Sequence, residues 1–205
     1  PGSSNSVIVG MPNGSTSDSY VSATTGLTVP GVTDRHVYAQ THPALRGKDV
    51  PMVFQTYAEV EFLKAEAAIR GWISSSAKEH YDKGVTAAMK MLKQLYPAST
   101  AITDAEISAY LAGPGAYDAS KGWEMAMNEY WKATFLNEYE AYANWRRTGY
   151  PTLTPTKHPN SVSNNQIFRR MIYPGGESAT NGDNYAAAVA RQGADDFTTR
   201  MWWDK

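Results

Sequence analysis

The feature that most constrains this chain is a change of pattern at Met52. From there apolar residues recur every three or four positions, with Val60, Leu63 and Ala67 on one line and Phe62, Ala65 and Ile69 on another. That spacing predicts an amphipathic helix within TYAEVEFLKAEAAIRGW, residues 56–72. Gly71 stops it, where a left-handed cap belongs. A second helix is predicted from about Ser76, along AKEHYDKGVTAAMKMLKQLY, and Pro97 ends it. Its Ala77, Tyr81, Val85, Ala88 and Leu92 fall on one side. Leu63, Ala67 and Gly71, followed by Ala77, Tyr81 and Gly84, approximate the small–aromatic–small rhythm of a tetratricopeptide helix pair, with about one residue inserted.

The rest of the chain divides around this pair. Thr103-Asp104-Ala105-Glu106 fits a capping box opening a short helix to about Leu111. One long helix is predicted from Gly122 to Arg147, ended by Gly149 and Pro151. Beyond it we expect an extended piece at Ile167–Ile172, a turn at Tyr173-Pro174, and a helix over Asn184–Arg191 capped by Asp183 and stopped by Gly193. The tail ends on Trp202 and Trp203, which are expected to dock, because exposing both forgoes burial at about 25 cal/mol per Å². Residues 1–50 are rich in Gly, Ser, Thr, Asn and Pro, and read as loop with extended pieces at Val7–Val9 and Leu27–Val29. So long a loop in a compact domain suggests a functional surface segment or a missing N-terminal part. The organisation expected is one domain. Segment 1–50 contributes to a ligand face, 51–150 forms a helical scaffold, and 151–205 is an irregular segment packed on that scaffold. The fold class is mainly α, with tetratricopeptide-like helix pairs and long irregular loops.

Several function classes are disfavoured. The net charge is −1, so no overall field steers the chain to nucleic acid or anionic lipid. There is no cysteine for a disulfide, a thiolate metal site or a nucleophile. No apolar run approaches the ~20 residues of a membrane span, and the opening PGSSNSV has no signal-peptide pattern and reads as a cut end. His36, His42, His80 and His158 are scattered without metal-ligand spacing, so no metal site is expected. Asn13-Gly14-Ser15 fits a glycosylation sequon and equally a plain turn. Asp195-Asp196 reads as solvated acid near a turn rather than a calcium site. Phosphate-binding glycine loops and a nucleophile elbow are missing, and no cofactor is implied.

Glu59, Glu61 and Glu66 sit in a helix otherwise suited to burial. They could be a catalytic pair, half a metal site, or structural acids. Glu59 and Glu66 are two turns apart on one face, roughly 10 Å along the axis, at the wide end for an inverting glycosidase and too wide for a retaining one. Glu66 and Arg70 have the spacing of an ordinary helix-surface pair. Trp145-Arg146-Arg147 closes the predicted long helix and supplies cationic partners. The expectation is a structural ion-pair network in which Arg146 or Arg147 bonds Glu59 or Glu66 and locks two helices together, with no catalytic residue.

Five stretches together carry a resemblance: YAEVEFLKAEAAIRGW (57–72), AKEHYDKGVTAAM (77–89), EYEAYANWRRTGYPTLTP (138–155), RRMIYPGGE (169–177) and NYAAAVARQGADDFTTRMWWDK (184–205). Their order and spacing resemble the C-terminal half of the SusD/RagB family, over about residues 50–205. The resemblance implies a helical, tetratricopeptide-like fold of which this is a partial chain. It also implies a non-catalytic lipoprotein on the outer surface of the outer membrane of Bacteroidetes. Such a protein binds glycans or other nutrients and acts as a lid on a TonB-dependent, SusC-like transporter. The lipid anchor and the early helices would then lie outside this chain, which is itself expected to be soluble.

The family motif fixes no ligand contact, so candidates come from chemistry. A sugar platform needs an exposed ring, with amide or carboxylate groups nearby. The 13 tyrosines and 6 tryptophans offer many rings. Tyr20, Tyr38 and Tyr117 lie in predicted polar loops, and Trp72 and Trp123 at helix ends. These five are the candidates, against the plainer reading that each is partly buried packing. Two other functions remain open. A tetratricopeptide-like scaffold would bind protein and no glycan. A glycoside hydrolase would need a carboxylate pair in one cleft.

Overall fold

The computed structural model describes residues 41, 43–97, 101–155 and 161–204. The predicted pieces Val7–Val9 and Leu27–Val29, the sequon at Asn13, the candidates Tyr20 and Tyr38, and His36, His42 and His158 lie outside the described residues. Among those described, the chain is mainly α, with seven α-helices and no strand. They fall into two compact units, one of Thr41–Leu153 and another containing residues 154–204.

The first unit holds α1 (Tyr57–Ile69), α2 (Ala77–Leu95), α3 (Asp104–Ala112), α4 (Gly122–Ala133) and α5 (Glu138–Thr148). A 3₁₀ turn, Pro43–Leu45, precedes them, and another, Ala119–Lys121, leads into α4. Helix α1 opens with a complete capping box. The Glu59 N–H donates to Thr56 Oγ1 at 3.1 Å, and the Thr56 N–H donates to Glu59 Oε1 at 3.0 Å. Thr103 and Glu106 repeat this at α3, and the Ser76 hydroxyl accepts from the Glu79 N–H at the start of α2. At the other end of α1, Gly71 has φ 72°. Its N–H donates to the Ala68 carbonyl at 3.0 Å, and the Trp72 N–H donates to the Ala67 carbonyl at 2.8 Å. Together these bonds form a Schellman motif.

The core forms where α1, α2 and α4 meet. It consists of Ala58, Phe62 and Ala65 with Tyr81 and Val85, and Ala126, Met127, Tyr130 and Ala133. Phe62 is central. Its ring packs edge-on against Tyr81 at 6.3 Å and Tyr130 at 6.4 Å between centroids. Gly84 on α2 passes so close to Phe62 that a Cβ there would stand 2.7 Å from the ring. That close approach explains the small residue one turn after Tyr81.

Two expectations change here. The buried face of α1 runs through Ala58, Phe62 and Ala65 and takes Glu59, Glu61 and Glu66 inward with it, while Leu63 and Ile69 are exposed. Burying acids is tolerable when each is hydrogen-bonded, and these are. The single helix predicted from Gly122 to Arg147 is broken at Thr134–Asn137. There the Thr134 hydroxyl donates back to the Tyr130 and Trp131 carbonyls, and Leu136 takes a left-handed φ of 72°. The Asn137 side chain donates to the Phe54 carbonyl at 3.3 Å, outside the helix altogether. Back-bonding of this kind bends helices, and the break separates α4 from α5.

The second unit contains α6 (Glu177–Thr180) and α7 (Gly182–Gln192). Helix α7 starts two residues before the predicted Asn184, and Asp183 lies in its first turn rather than capping it. The cause is α6. The Asn181 N–H bonds the Glu177 carbonyl, so the chain enters α7 straight from that turn. Residues Ile167–Ile172 form no strand. The Arg169 and Arg170 N–H groups both point at one carbonyl, that of Phe197. Three arginine–aspartate pairs hold this unit. Arg170 bonds Asp195 at 2.9 Å, and Arg169 and Arg200 share the buried Asp204 at 3.0 and 3.1 Å. Asp195 also accepts from the Tyr173 N–H, so it is not the solvated acid expected. The tail is fixed by Asp204, and Trp202 beside it is 84% exposed rather than docked.

Gly84→Ala should lower stability by about 1–2 kcal/mol. Overpacking against Phe62 costs about 1–3 kcal/mol and exceeds the gain of about 1 kcal/mol from replacing a helical glycine. A urea titration followed by circular dichroism checks the sign.

Candidate functional site

The three glutamates of α1 have separate tasks. Glu59 closes the capping box, and its burial raises its pKa. Glu61 Oε2 lies 2.6 Å from His80 Nδ1, and Lys64 Nζ donates to Oε1 at 3.0 Å. The other ring nitrogen of His80 is 2.8 Å from the Ser75 hydroxyl. Burial alone would raise the Glu61 carboxyl, but hydrogen bonds from His80, Lys64 and Tyr57 outweigh it and hold the pKa at about 2.

Glu66 joins α1 to α5 and to the end of its own helix. Arg147 Nη1 donates to Oε1 at 2.6 Å and Nη2 to Oε2 at 2.8 Å, a two-pronged contact between α5 and α1. Arg147 Nη2 also reaches Asn144 Oδ1 at 2.8 Å. Arg70 Nε donates to Glu66 Oε1 at 2.9 Å from the end of α1. Arg146 lies instead over the Tyr142 ring, 4.2 Å from its centroid. Helical spacing explains the division, because neighbouring residues point about 100° apart, so only one of the two arginines can face α1.

The described aromatic candidates occupy different settings. Tyr117 is half-buried, with its ring 5.2 Å from that of Tyr81. A Cβ on Gly122 would come within 2.2 Å of the Tyr117 hydroxyl, so any larger residue there would displace that side chain. Trp123 is half-buried against the core. Trp72 is 69% exposed. Arg70 links the two tryptophans, with its Cζ 5.1 Å from the Trp72 ring centroid and 4.6 Å from that of Trp123. Sequence reasoning treated Arg70 only as a surface partner of Glu66. The signal was present in its position, four residues after Glu66 and two before Trp72.

A separate groove of about 480 Å³ lies along the start of α1 and the outer side of α2, lined by Tyr57, Asp82, Lys83, Thr86 and Lys90 among others. Among the described residues no group of three or more His, Asp or Glu side chains is placed to hold a metal ion. No described helix is long and apolar enough to cross a membrane.

Comparison with known proteins points to one family. Residues 5–174 match the SusD-like family described as starch-binding and associating with the outer membrane, and the chain belongs to that family. It is similar to the solved structure of a chitin-binding protein, with 37% identity, a TM-score of 0.71, and coverage of 80% of this chain and 36% of the other. A Bacteroidetes SusD-like protein is 36% identical with a TM-score of 0.73, covering 79% of this chain and 32% of the other. A SusD homologue from Bacteroides fragilis is 32% identical with a TM-score of 0.61, covering 73% and 34%. The chain thus spans about a third of the length of these structures. No curated protein matches it significantly.

Two outcomes test the carboxylate assignments. Glu66→Ala should cost about 2–3 kcal/mol in a urea titration, because it strands Arg147. The cost falls below that of a fully buried pair because the Arg147 side chain is 37% exposed. For Glu61 the sign follows from its lowered pKa. Between the usual glutamate value of 4.5 and about 2, the unfolded state binds the extra proton. Stability contributed by Glu61 is therefore complete above pH 4.5 and is lost as pH falls towards 2. Glu61→Gln should flatten that part of the stability–pH curve.

Proposed function

We propose that this chain is part of a non-catalytic glycan-binding protein at the outer face of the outer membrane, which passes its ligand to a TonB-dependent, SusC-like transporter. The observation that carries this reading is the family match over residues 5–174, together with 37% identity to a chitin-binding protein across 80% of the chain. A lipid anchor on the longer protein would provide the membrane attachment. The geometry supports a binding role over catalysis. Glu59 holds a cap, Glu61 is held by His80 and Lys64, and Glu66 is engaged by two arginines. General acid or base work requires a carboxyl group that can reach substrate and exchange its proton, and these three are committed to the scaffold.

Tryptophan fluorescence of the chain, titrated with chitin, starch, cellulose and pectin oligosaccharides, tests the proposal when reducing ends are assayed in the same wells. The expected result is saturable quenching by at least one sugar class with no new reducing ends. Release of reducing ends would reveal a hydrolase. Silence across the panel, with binding of a folded protein partner instead, would favour a tetratricopeptide-like scaffold.

A further inference from the structure

At the C-terminal end of α1, three side chains form one surface. The Schellman motif at Gly71 fixes the backbone of Trp72, so its ring is exposed on a stiff support rather than on a loose loop. Glu66 holds Arg70 through Nε. This leaves Nη1 and Nη2 without a hydrogen-bond partner among the described residues, and the Arg70 side chain is 41% exposed. Trp123 lies under the same guanidinium, half-buried against the core. A cation over an aromatic face is attracted by the ring quadrupole, so the two rings and the Glu66 bond together orient the guanidinium. The guanidinium lies over the Trp72 ring, 5.1 Å from its centroid, and Trp72 still keeps 69% of its surface exposed.

We propose that Trp72, Arg70 and Trp123 form a glycan subsite for a pyranose bearing an exocyclic carbonyl oxygen, as in the acetamido group of an N-acetylhexosamine or the carboxylate of a uronate. This rests on the glycan-binding reading above and deepens it. Trp72 offers a flat apolar face on which the C–H face of a pyranose packs. Arg70 offers donors and no acceptor, so it selects a sugar with a strong oxygen acceptor over one presenting hydroxyls alone. Charge points the same way. The carboxylate of Glu66 is shared by the guanidiniums of Arg70 and Arg147, so the cluster retains one positive charge. Two parallel N–H donors suit a carbonyl or carboxylate oxygen better than a lysine ammonium would. Trp123 acts as a positioning residue, supporting Arg70 from below.

Isothermal titration calorimetry of the full chain with chitotetraose, tetragalacturonate and cellotetraose tests this directly. Chitotetraose, tetragalacturonate or both should bind at least about tenfold more tightly than cellotetraose, which lacks the carbonyl. The pattern identifies acetamido or carboxylate as the preferred source. Trp72→Ala should weaken that binding by about tenfold or more, and Trp72→Phe should restore part of it. Arg70→Lys should reduce the preference over cellotetraose while the circular dichroism melt stays close to wild type. Wild-type binding with an unchanged Trp72→Ala affinity would overturn the subsite and leave the glycan-binding reading standing. Equal affinity for all three sugars, or an Arg70→Lys variant with the full preference, would overturn the carbonyl selectivity. Binding of none of the three by the wild type would overturn the subsite, and the reading beneath it would fall only if the starch oligosaccharides of the fluorescence panel are silent as well.

Discussion

The Glu66 carboxylate is the contact on which the rest of the first unit depends. It accepts both Nη groups of Arg147 on α5 and the Nε of Arg70 at the end of its own helix. Arg147 brings the second half of the broken helix back against α1. Arg70 carries the same constraint outward to the two tryptophans. One acid thus couples the orientation of a helix to that of a surface group. Its low exposure makes the coupling strong, because a charge taken out of water needs its partners more than an exposed one does.

Around that contact the core is small and aromatic. Phe62 meets Tyr81, Tyr130 and the glycine at 84, and each helix of the core contributes to its surroundings. Three acids on one buried face would be a liability if any lacked a partner. Here each is satisfied from a different direction: Glu59 from its own N-terminus, Glu61 from α2 through His80, and Glu66 from α5. They therefore specify which helices pack on α1 as well as stabilising the arrangement. The second unit uses the same chemistry in another form, with Asp195 and Asp204 held by arginines in a segment that has little apolar core.

Much of the helical layout was legible because its signals are local. The starts of α2 and α3, the glycine stops at Gly71 and Gly149, and the proline after α2 each act within one turn of chain. Their effect is the same whatever packs nearby. The structural role of the acids was legible in outline, since a helix with an apolar stripe and arginines elsewhere in the chain implies ion pairs. The choice of Arg147 over Arg146 was not, because it depends on the rotation of α5 after the break at Leu136. The break itself was hidden. Trp131 to Asn144 keeps a helical period, and only the Thr134 hydroxyl and the reach of Asn137 to Phe54 interrupt it. Asp204 rather than Trp202 anchors the tail for a related reason. Two arginines separated by many residues converge on it, and no local pattern reveals that convergence.

By itself the sequence determined that the chain is mainly α, where most helices begin and end, and which family it resembles. Caps, periods and motif order are written in neighbouring residues. Tertiary structure alone decided which face of α1 is buried, which arginine meets Glu66, and that Arg70 joins Trp72 to Trp123. Those depend on distances between residues up to 81 positions apart along the chain. Such distances follow from helix rotation and packing, which periodicity constrains only to the nearest face.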